Sequence, residues 1–307
     1  MDLVLSIITV NYNGLTDTCA LIESVPFGDI LSMEMIVVDN GSTADEAAVI
    51  GHRYPQVRTI RSELNLGFAG GNNLGIRAAH GRYLFLVNND ALFDSPWHME
   101  DLIRRMERQP LTAVVCPKIR FAWGEQPIQY AGYTDLSPVT LRNHAIGYNE
   151  HDSGQYDAPR STPYAHGAAM LVRHDAIAKA GLMPECYFLY YEELDWSLQF
   201  RHAGYDIWYD PTATVFHKES QSTGCDSPLR TYYVGRNRLL FARRNLTGLQ
   251  RWLCYLYIIG MVTPRDTLRY MLTGRFRQAA AVWRGVTDFI KTSRHELRDR
   301  LHKKELT

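Results

Sequence analysis

Two short polar stretches hold the side chains of this sequence that are best suited to chemistry. Asn88-Asn89-Asp90 directly follows an apolar run from Tyr83 to Val87, and Glu192-Glu193-Leu194-Asp195 follows a run of aromatic residues. Carboxylate and amide oxygens suit a hard divalent cation and the phosphates that it carries. Burial among aromatic side chains raises the pKa of a carboxyl group toward the range of a general base. The first stretch is therefore a candidate cation site, and the second is a candidate source of a base.

Each stretch also has an explanation that needs no ligand. Asn and Asp are common in turns after strands, and acids are favoured at a helix N-terminus because they face the positive end of the helix dipole. A third candidate, His217, closes the apolar run 213–216, where a histidine is more often a packed structural residue. Taken singly, the motifs leave a structural and a functional role open.

The elements that would position these residues alternate between strand and helix. The run Tyr83–Val87 has no polar face, as expected for a strand buried on both sides in a parallel sheet. Three earlier strands are predicted at 3–10, 33–38 and 57–60, with helical segments between them. This alternation predicts an α/β fold with a doubly wound, mostly parallel sheet and flanking helices.

Polar residues recur where these strands end. Because the carboxyl ends of parallel strands meet at one edge of a sheet, we expect a nucleotide to bind across them. The side chains at this edge are Asn11, Asn13, Asp39, Asn40, Asn65, Asn88, Asn89 and Asp90.

The glycines argue against two other nucleotide-binding classes. The first strand is followed by Asn-Tyr-Asn-Gly, without the G-x-G-x-x-G of an NAD-dependent oxidoreductase, and no Gly-Lys-Ser/Thr marks a P-loop. The glycine-rich segment 65–73, which includes Gly70, is predicted to be a loop. Its glycines serve either close helix packing or close approach of a ligand.

Farther along, a helix is predicted from 96 to 109, a strand from 113 to 116 and a long loop with short strands in it from 121 to 163. A regular pattern of apolar and small residues resumes in the segment 164–172. Gly167 and Ala168 in this segment are small enough for a substrate to approach the backbone.

Charge divides the chain into an acidic body and a basic C-terminal quarter. The formal net charge is zero, but residues 230–307 hold 17 Lys/Arg and 5 Asp/Glu, a net of +12. The aromatic and aliphatic run Trp252–Val262 lies among these arginines and is too short to cross a bilayer. Such a segment suits a helix lying on an anionic membrane leaflet, while packing on the acidic body or on a second subunit is the alternative. No nucleic-acid motif accompanies the charge, so we do not expect a nucleic-acid partner.

Five scattered cysteines form no Cys-x-x-Cys pair, which argues against a disulfide framework and a zinc site and favours a reducing, cytoplasmic location. The first residues lack the pattern of a signal peptide.

In their order and spacing, the motifs resemble the family 2 glycosyltransferases, in particular the bacterial rhamnosyltransferase-like branch that builds cell-surface polysaccharides. The resemblance runs from about Leu5 to Asn237. It rests on Asn11-Tyr12-Asn13, Val38 to Ser42, Asn65 to Asn73, Asn88-Asn89-Asp90, Gly167 to Met170, Glu192 to Asp195, His217 and Arg236-Asn237.

This resemblance implies a GT-A type fold, which is a Rossmann-like sheet with flanking helices, followed here by a C-terminal helical region. The catalytic domain would span 1–229, with a nucleotide-binding half at 1–110 and an acceptor-binding half at 111–229. Residues 230–307 would form the basic helical region.

The resemblance also implies a donor site. Asp39 would bind the nucleobase, Asn40 would belong to the same donor site, the loop of Asn11 and Asn13 would line the nucleoside pocket, and Asn65 with Gly70 would lie along the ribose and diphosphate. Asn88-Asn89-Asp90 takes the place of the family's Asp-x-Asp, with an amide in place of the first acid. Asp90 and His217 would therefore bind Mg²⁺ or Mn²⁺, while Asn88 offers a neutral oxygen and Asn89 completes the donor site.

The implied reaction is a single displacement with inversion at the anomeric carbon. Glu193 would be the catalytic base, and Glu192 and Asp195 would lie beside it in the catalytic site. Asp195 would orient the acceptor or the base. Gly167, Ala168 and Arg236 would contact the acceptor or the diphosphate, although Arg236 could equally fix the C-terminal helices to the body.

The expected donor is dTDP-L-rhamnose, with a UDP-sugar as the second choice, and the expected acceptor is a glycan or lipid-linked glycan at the inner face of the membrane. The competing interpretation is a non-catalytic module that binds a nucleotide-sugar or glycan. The oligomeric state stays open.

Overall fold

The computed structural model describes residues 3–27, 32–94, 97–219 and 227–292. Within these ranges, ten strands form one sheet with helices packed around it. The strands are β1 (Leu5–Asn11), β2 (Met33–Asn40), β3 (Val57–Ser62), β4 (Tyr83–Val87), β5 (Ala91–Phe93), β6 (Thr112–Phe121), β7 (Ile128–Tyr130), β8 (Arg160–Ser161), β9 (Ala169–Arg173) and β10 (Asp206–His217).

The resemblance assigns residues 1–229 to a catalytic domain, called the catalytic body below. Its helices are α1 (Leu15–Ser24), α2 (Glu46–Arg53), α3 (Gly67–Ala78), α4 (Met99–Arg108), α5 (His174–Ala180) and α6 (Glu192–His202). The C-terminal region holds α7 (Pro228–Asn245), α8 (Gly248–Tyr257), a π-helical turn (Ile258–Val262), α9 (Thr263–Leu272) and α10 (Phe276–Lys291).

The first half of the sheet is parallel, as predicted. The strand order is β3-β2-β1-β4, and each neighbouring pair runs in the same direction. Asn11 pairs in register with Asp39, so the polar residues that end β1 and β2 lie at one edge. This register confirms that the strand ends converge.

The second half departs from the parallel pattern. Strand β9 is inserted antiparallel between β4 and β6, and β10 runs parallel to β6. Strand β5 pairs antiparallel with the end of β10, which places Ala91 opposite His217. Because Ala91 directly follows Asp90, this pairing brings the distant His217 to the candidate cation site.

The glycine-rich segment is a helix, which corrects the predicted loop at 65–73. Helix α3 begins at Gly67, whose φ of +74° is the left-handed conformation that favours glycine. An added Cβ would lie 2.7 Å from Val10 at Gly71 and 2.4 Å from Ile8 at Gly75. These glycines therefore let α3 pack closely against β1. Of the two roles that the sequence left open for the glycines, this supports close helix packing. Within the long segment 121–163, the structure also shows β7 and β8.

The C-terminal helices share a core with the catalytic body. Leu239 and Phe241 of α7 are buried in one apolar cluster with Tyr187 and Leu194, which flank the start of α6. The inner face of this region therefore packs on the body. Within the described ranges, no helix combines the length and the apolar character required to cross a bilayer.

Candidate active site

The Asp90 and His217 side chains meet at the carboxyl edge of the sheet. His217 Nε2 lies 3.0 Å from Asp90 Oδ1, and both side chains are largely buried. On the other side of the ring, His217 Nδ1 lies 2.9 Å from Gln129 Oε1, which can only accept, so Nδ1 carries a hydrogen and Nε2 faces Asp90. In the neutral ring Nε2 is an acceptor, and a cation held between it and the Asp90 carboxylate would then stabilise the pair.

The donor set fits a divalent cation held jointly with phosphate. The 3.0 Å separation of the pair is the length of a hydrogen bond, and it would also let both atoms reach one divalent ion. In the part of the chain that the structure describes, no three His, Cys, Asp or Glu side chains converge to hold a metal by themselves. The remaining ligands would thus be phosphate oxygens and water, as is usual for Mg²⁺. Gln129 fixes the ring orientation of His217 from behind.

The predicted donor residues Asn11 and Asp39 are fully buried and serve the framework of this edge. Asn11 donates to Glu46 Oε2 at 2.6 Å and accepts from Thr18 Oγ1 at 2.7 Å. Asp39 accepts from the backbone N–H groups of Ser42, at 3.2 Å, and of Ala47. Both side chains therefore hold the loops around the strand ends. Asn13 is exposed, and its Oδ1 accepts from the Thr43 N–H at 2.9 Å. The predicted roles of Asn11, Asn13 and Asp39 toward a nucleotide stay predictions.

The side chains of Asn40 and Asn65 form hydrogen bonds at the point where α3 begins. The Asn40 amide donates to Asn65 Oδ1 at 3.2 Å and to the Gly67 carbonyl at 3.0 Å, and its own oxygen accepts from the Leu66 N–H at 3.0 Å. Gly70 lies one turn into the helix, where an added Cβ would lie 2.6 Å from Leu66 Cβ. This contact indicates that Gly70 serves close packing, and its predicted place along the ribose and diphosphate stays a prediction.

Glu193 is connected to the Asp90–His217 pair through Gly167 and Ala168. A Cβ on Gly167 would lie 3.8 Å from Glu193 Cγ. The next residue, Ala168, accepts at 2.9 Å from the backbone N–H of Asn88, whose side-chain Nδ2 lies 3.2 Å from His217 Nε2. Small residues at 167 and 168 thus separate the candidate base from the candidate cation site.

Both carboxyl groups that begin α6 are perturbed by burial. Burial raises the pKa of Glu193 to about 7, a value suited to a general base near neutral pH. The pKa of Glu192 is raised well above its usual value, first by burial and then by the neighbouring Glu193 carboxylate. Among the described residues, Glu192 Oε2 has no hydrogen-bond partner.

Asp195 makes its contacts away from Glu193. Its Oδ2 accepts from Arg244 Nε and from Tyr187 O–H, both at 2.5 Å, and its side chain is buried. Arg244 belongs to α7, so this ion pair joins α6 to the C-terminal region. These contacts anchor α6 to the C-terminal region, and the predicted role of Asp195 in orienting the acceptor or the base stays a prediction.

Arg236 and Asn237 of α7 hold the loop that precedes α6. Arg236 donates to the Tyr187 carbonyl at 2.5 Å, which supports its role in fixing the C-terminal helices. The buried Asn237 amide lies within hydrogen-bonding distance of three carbonyl oxygens, those of Tyr187, Leu189 and Tyr190, at 3.0, 2.6 and 2.9 Å.

This loop has an unusual backbone. Phe188, Tyr190 and Tyr191 have φ values of +69°, +69° and +80°, which side-chain-bearing residues seldom adopt. The Phe188 carbonyl also accepts at 2.7 Å from the N–H of Phe68, next to the start of α3. The donor-side helix and the C-terminal helix therefore clamp the same strained loop directly before Glu193.

Four side chains important to this geometry were not among the predicted site residues: Gln129, Lys218, Asn237 and Arg244. Lys218 follows His217, and its Nζ donates to Asp17 Oδ1 at 2.5 Å while its N–H binds the Asp90 carbonyl. Their partners lie far away along the chain, so local sequence carries no signal for them. Asn237 was part of the resemblance but had no role attached to it.

Solved structures with this architecture are glycosyltransferases of the GT-A class. GalNAc-T7 with UDP, GalNAc and Mn²⁺ is 15% identical with a TM-score of 0.59, over 88% of this chain and 58% of that chain. TarS from S. aureus is 14% identical with a TM-score of 0.56, over 96% of this chain and 50% of that chain. This chain thus spans about half the length of these two, and the likeness establishes the GT-A fold.

The family follows from the sequence match. Residues 6–180 match the model of glycosyl transferase family 2, and the chain belongs to this family. It is 26% identical over 244 residues to N-acetylglucosaminyl-diphospho-decaprenol L-rhamnosyltransferase from Mycobacterium tuberculosis, covering 73% of this chain and 78% of that protein. It is also 26% identical over 240 residues to the low-salt glycan biosynthesis hexosyltransferase Agl10 from Haloferax volcanii, covering 77% of this chain and 74% of that protein. The protein is therefore a glycosyltransferase, as the resemblance implied.

Proposed function

We propose that this protein is a metal-dependent, inverting glycosyltransferase that moves L-rhamnose from dTDP-rhamnose to a hydroxyl of a glycan or lipid-linked glycan in cell-surface polysaccharide synthesis. The single observation that carries the catalytic part is the Asp90–His217 contact at the strand edge, with Glu193 next to Gly167 on the neighbouring segment. The choice of rhamnose and of a lipid-linked acceptor is supported by the similarity to the M. tuberculosis decaprenol L-rhamnosyltransferase.

In this mechanism the nucleotide lies across the ends of β1, β2 and β4. Asn13, Asn65 and Asn89 lie at this edge, where Asp39, Asn11 and Asn40 hold the loops in place. Asp90 Oδ1 and His217 Nε2 would hold Mg²⁺ or Mn²⁺ together with the diphosphate. The bound cation would act as a Lewis acid that neutralises charge developing on the departing diphosphate.

Glu193 acts on the acceptor side. Its carboxylate accepts the proton of the acceptor hydroxyl as that oxygen forms a bond to the anomeric carbon and the bond to the diphosphate oxygen breaks. Attack from the face opposite the leaving group inverts the anomeric configuration. The raised pKa of Glu193 suits this transfer because the group is a stronger base than an ordinary carboxylate.

Buried Cys19, Cys116 and Cys254 are free thiols, which supports a reducing, cytoplasmic location for the donor site. Cys225 lies outside the described residues.

The donor is tested by thermal shift with dTDP-rhamnose, UDP-sugars and GDP-sugars, each with Mn²⁺ or with EDTA. A ligand that binds the folded state raises the melting temperature. We expect the largest shift with dTDP-rhamnose and Mn²⁺. A larger shift with a UDP-sugar would assign that sugar as the donor in place of dTDP-rhamnose. A separate measurement, NMR of the anomeric signal of the product, distinguishes inversion from retention.

The alternative is a non-catalytic binding module of the same fold. It predicts the thermal shift without release of dTDP, whereas the transferase releases dTDP slowly even with water as the acceptor. Comparing dTDP release by the wild-type protein and by Glu193→Gln separates the two.

A further inference from the structure

We infer that the outward face of the C-terminal helices docks on an anionic lipid surface. The outward face is defined by the exposed apolar side chains of α8, the π-helical turn, α9 and the start of α10. Its members are Leu249, Trp252, Leu253, Leu256, Met261, Leu268, Met271, Leu272 and Phe276. This inference does not depend on the transferase reaction.

Helix α8 is apolar on two sides. Leu249, Trp252, Leu253 and Leu256 follow the spacing i, i+3, i+4, i+7 and form one exposed stripe. Cys254, on the opposite side, is buried in the core shared with α7. A surface helix of a globular protein normally places polar residues outward, so the outer stripe of α8 is unexplained by folding.

Helix α9 continues the same pattern. Leu268, Met271 and Leu272 are exposed at the spacing i, i+3, i+4, and Phe276 is exposed at the start of the next helix. Single exposed leucines are common on proteins, but a run of apolar side chains over consecutive helices marks an interaction surface.

The charge of the C-terminal region indicates which kind of surface the outward face binds. Residues 246–292 contain seven Lys/Arg and two Asp/Glu. Both acids are engaged, Asp266 with Arg265 at 2.7 Å and Asp288 with the Tyr232 hydroxyl at 2.9 Å. A second copy of this chain would present the same positive charge and be repelled, whereas an anionic leaflet attracts it at about 1 kcal/mol per basic side chain.

A cleft between α8 and α10 adds a place for a headgroup. It has a volume of about 420 Å³ and is lined by Arg243, Arg251, Trp252, Tyr255, Phe289 and Thr292. Arginine recognises phosphate, and because Arg243 already donates to the Phe289 and Thr292 carbonyls, the phosphate contact is assigned to Arg251. Trp and Tyr are enriched at the level of lipid headgroups because their rings are amphipathic. The cleft shares Trp252 with the exposed stripe, so apolar insertion and phosphate contact would occur at the same place.

The test is flotation of the full chain with vesicles of phosphatidylcholine alone or mixed with phosphatidylglycerol. We expect binding only to the anionic vesicles, and weaker binding as salt rises. Trp252→Ala combined with Leu256→Ser should weaken binding about tenfold or more, because two exposed apolar anchors are lost. The control Trp123→Ala combined with Leu64→Ser changes exposed apolar residues of the catalytic body and should bind as the wild type does.

Absence of binding to anionic vesicles would overturn the inference, as would equal loss in the test and control variants. A lipid-free dimer of the wild type that Leu256→Ser dissociates would assign the outward face to a second copy. Circular dichroism of each variant separates lost binding from lost folding, and Arg251→Gln provides a second, independent variant that should weaken binding about fivefold.

Discussion

His217 Nε2 and Asp90 Oδ1 lie 3.0 Å apart at the carboxyl edge of the sheet, although the two residues are far apart along the chain. Two features of the fold produce this contact. Strand β5 directly follows Asp90 and pairs antiparallel with the end of β10, and Gln129 orients the His217 ring from behind. The candidate cation site is therefore assembled by long-range pairing.

The pH dependence of the reaction should report the protonation of Glu193. Because burial raises its pKa to about 7, the fraction of carboxylate falls as the pH drops through that value. We expect kcat/KM to decrease about tenfold per pH unit below this range and to level off above it. Glu193→Gln should lower kcat by about 10²-fold or more and abolish this limb. A pH profile that is unchanged in the variant would exclude Glu193 as the base.

Glu192 should make the folded state less stable as the pH rises. Its pKa is raised in the folded protein by burial and by Glu193, so the folded state binds this proton more tightly than the unfolded chain does. The stability that this group contributes is fully present below about pH 4.5. Between that pH and the pKa of the folded state, it is lost at about 1.4 kcal/mol for each pH unit.

Glu192→Gln removes that titration while keeping the shape. The quantity to compare is the melting temperature of the variant minus that of the wild type. We expect this difference to be larger at pH 8 than at pH 5. The melting temperatures would be measured in the same buffers by scanning calorimetry, and a constant difference at both pH values would contradict the assignment.

The Asp195–Arg244 ion pair should be important for stability. Arg244→Met leaves the buried Asp195 carboxylate without its cation, which costs about 3–5 kcal/mol in comparable buried pairs. The double variant Asp195→Asn with Arg244→Met should recover part of this loss, because no charge is left buried. Urea unfolding of the four proteins in this cycle measures the coupling, and additive effects would argue against a direct interaction.

Asn237 should position the base through the strained loop. Asn237→Ala removes the amide that faces three carbonyls of the loop before Glu193, so we expect kcat to fall about tenfold or more while the KM for the donor changes less. Asn245→Ala is the matched control, since the Asn245 amide donates to the Phe241 carbonyl of the same helix, at 3.3 Å. Equal kinetics in both variants would leave Asn237 with a purely structural role.

The sequence predicted the parts of the fold that depend on local pattern. The buried strand Tyr83–Val87 and the three earlier strands that run parallel to it follow from apolar runs separated by helices, and their polar ends converge as expected. The structure of the glycine-rich segment 65–73 was harder to predict. A helix whose backbone packs against the side chains of a strand needs the same small residues as a flexible loop. Only the position of α3 against Ile8 and Val10 distinguishes the two.

Side-chain roles were less predictable where the partner is distant. Asp195 follows Glu193 by two positions and is grouped with it in sequence, yet successive helical residues face different directions, and Asp195 meets Arg244. Asn11 and Asp39 stand at the predicted edge, but full burial gives them loop-holding contacts that composition alone cannot reveal.

Binding of Mn²⁺ tests the central claim most directly, because it needs no turnover. Electron paramagnetic resonance of free Mn²⁺, titrated with protein in the presence of dTDP, reports the bound ion. We predict that the wild type binds Mn²⁺ only together with dTDP, that Asp90→Asn and His217→Ala each weaken this binding about tenfold or more, and that the surface variant His80→Ala does not. Wild-type affinity in both Asp90→Asn and His217→Ala would contradict the assignment of this pair as the cation site.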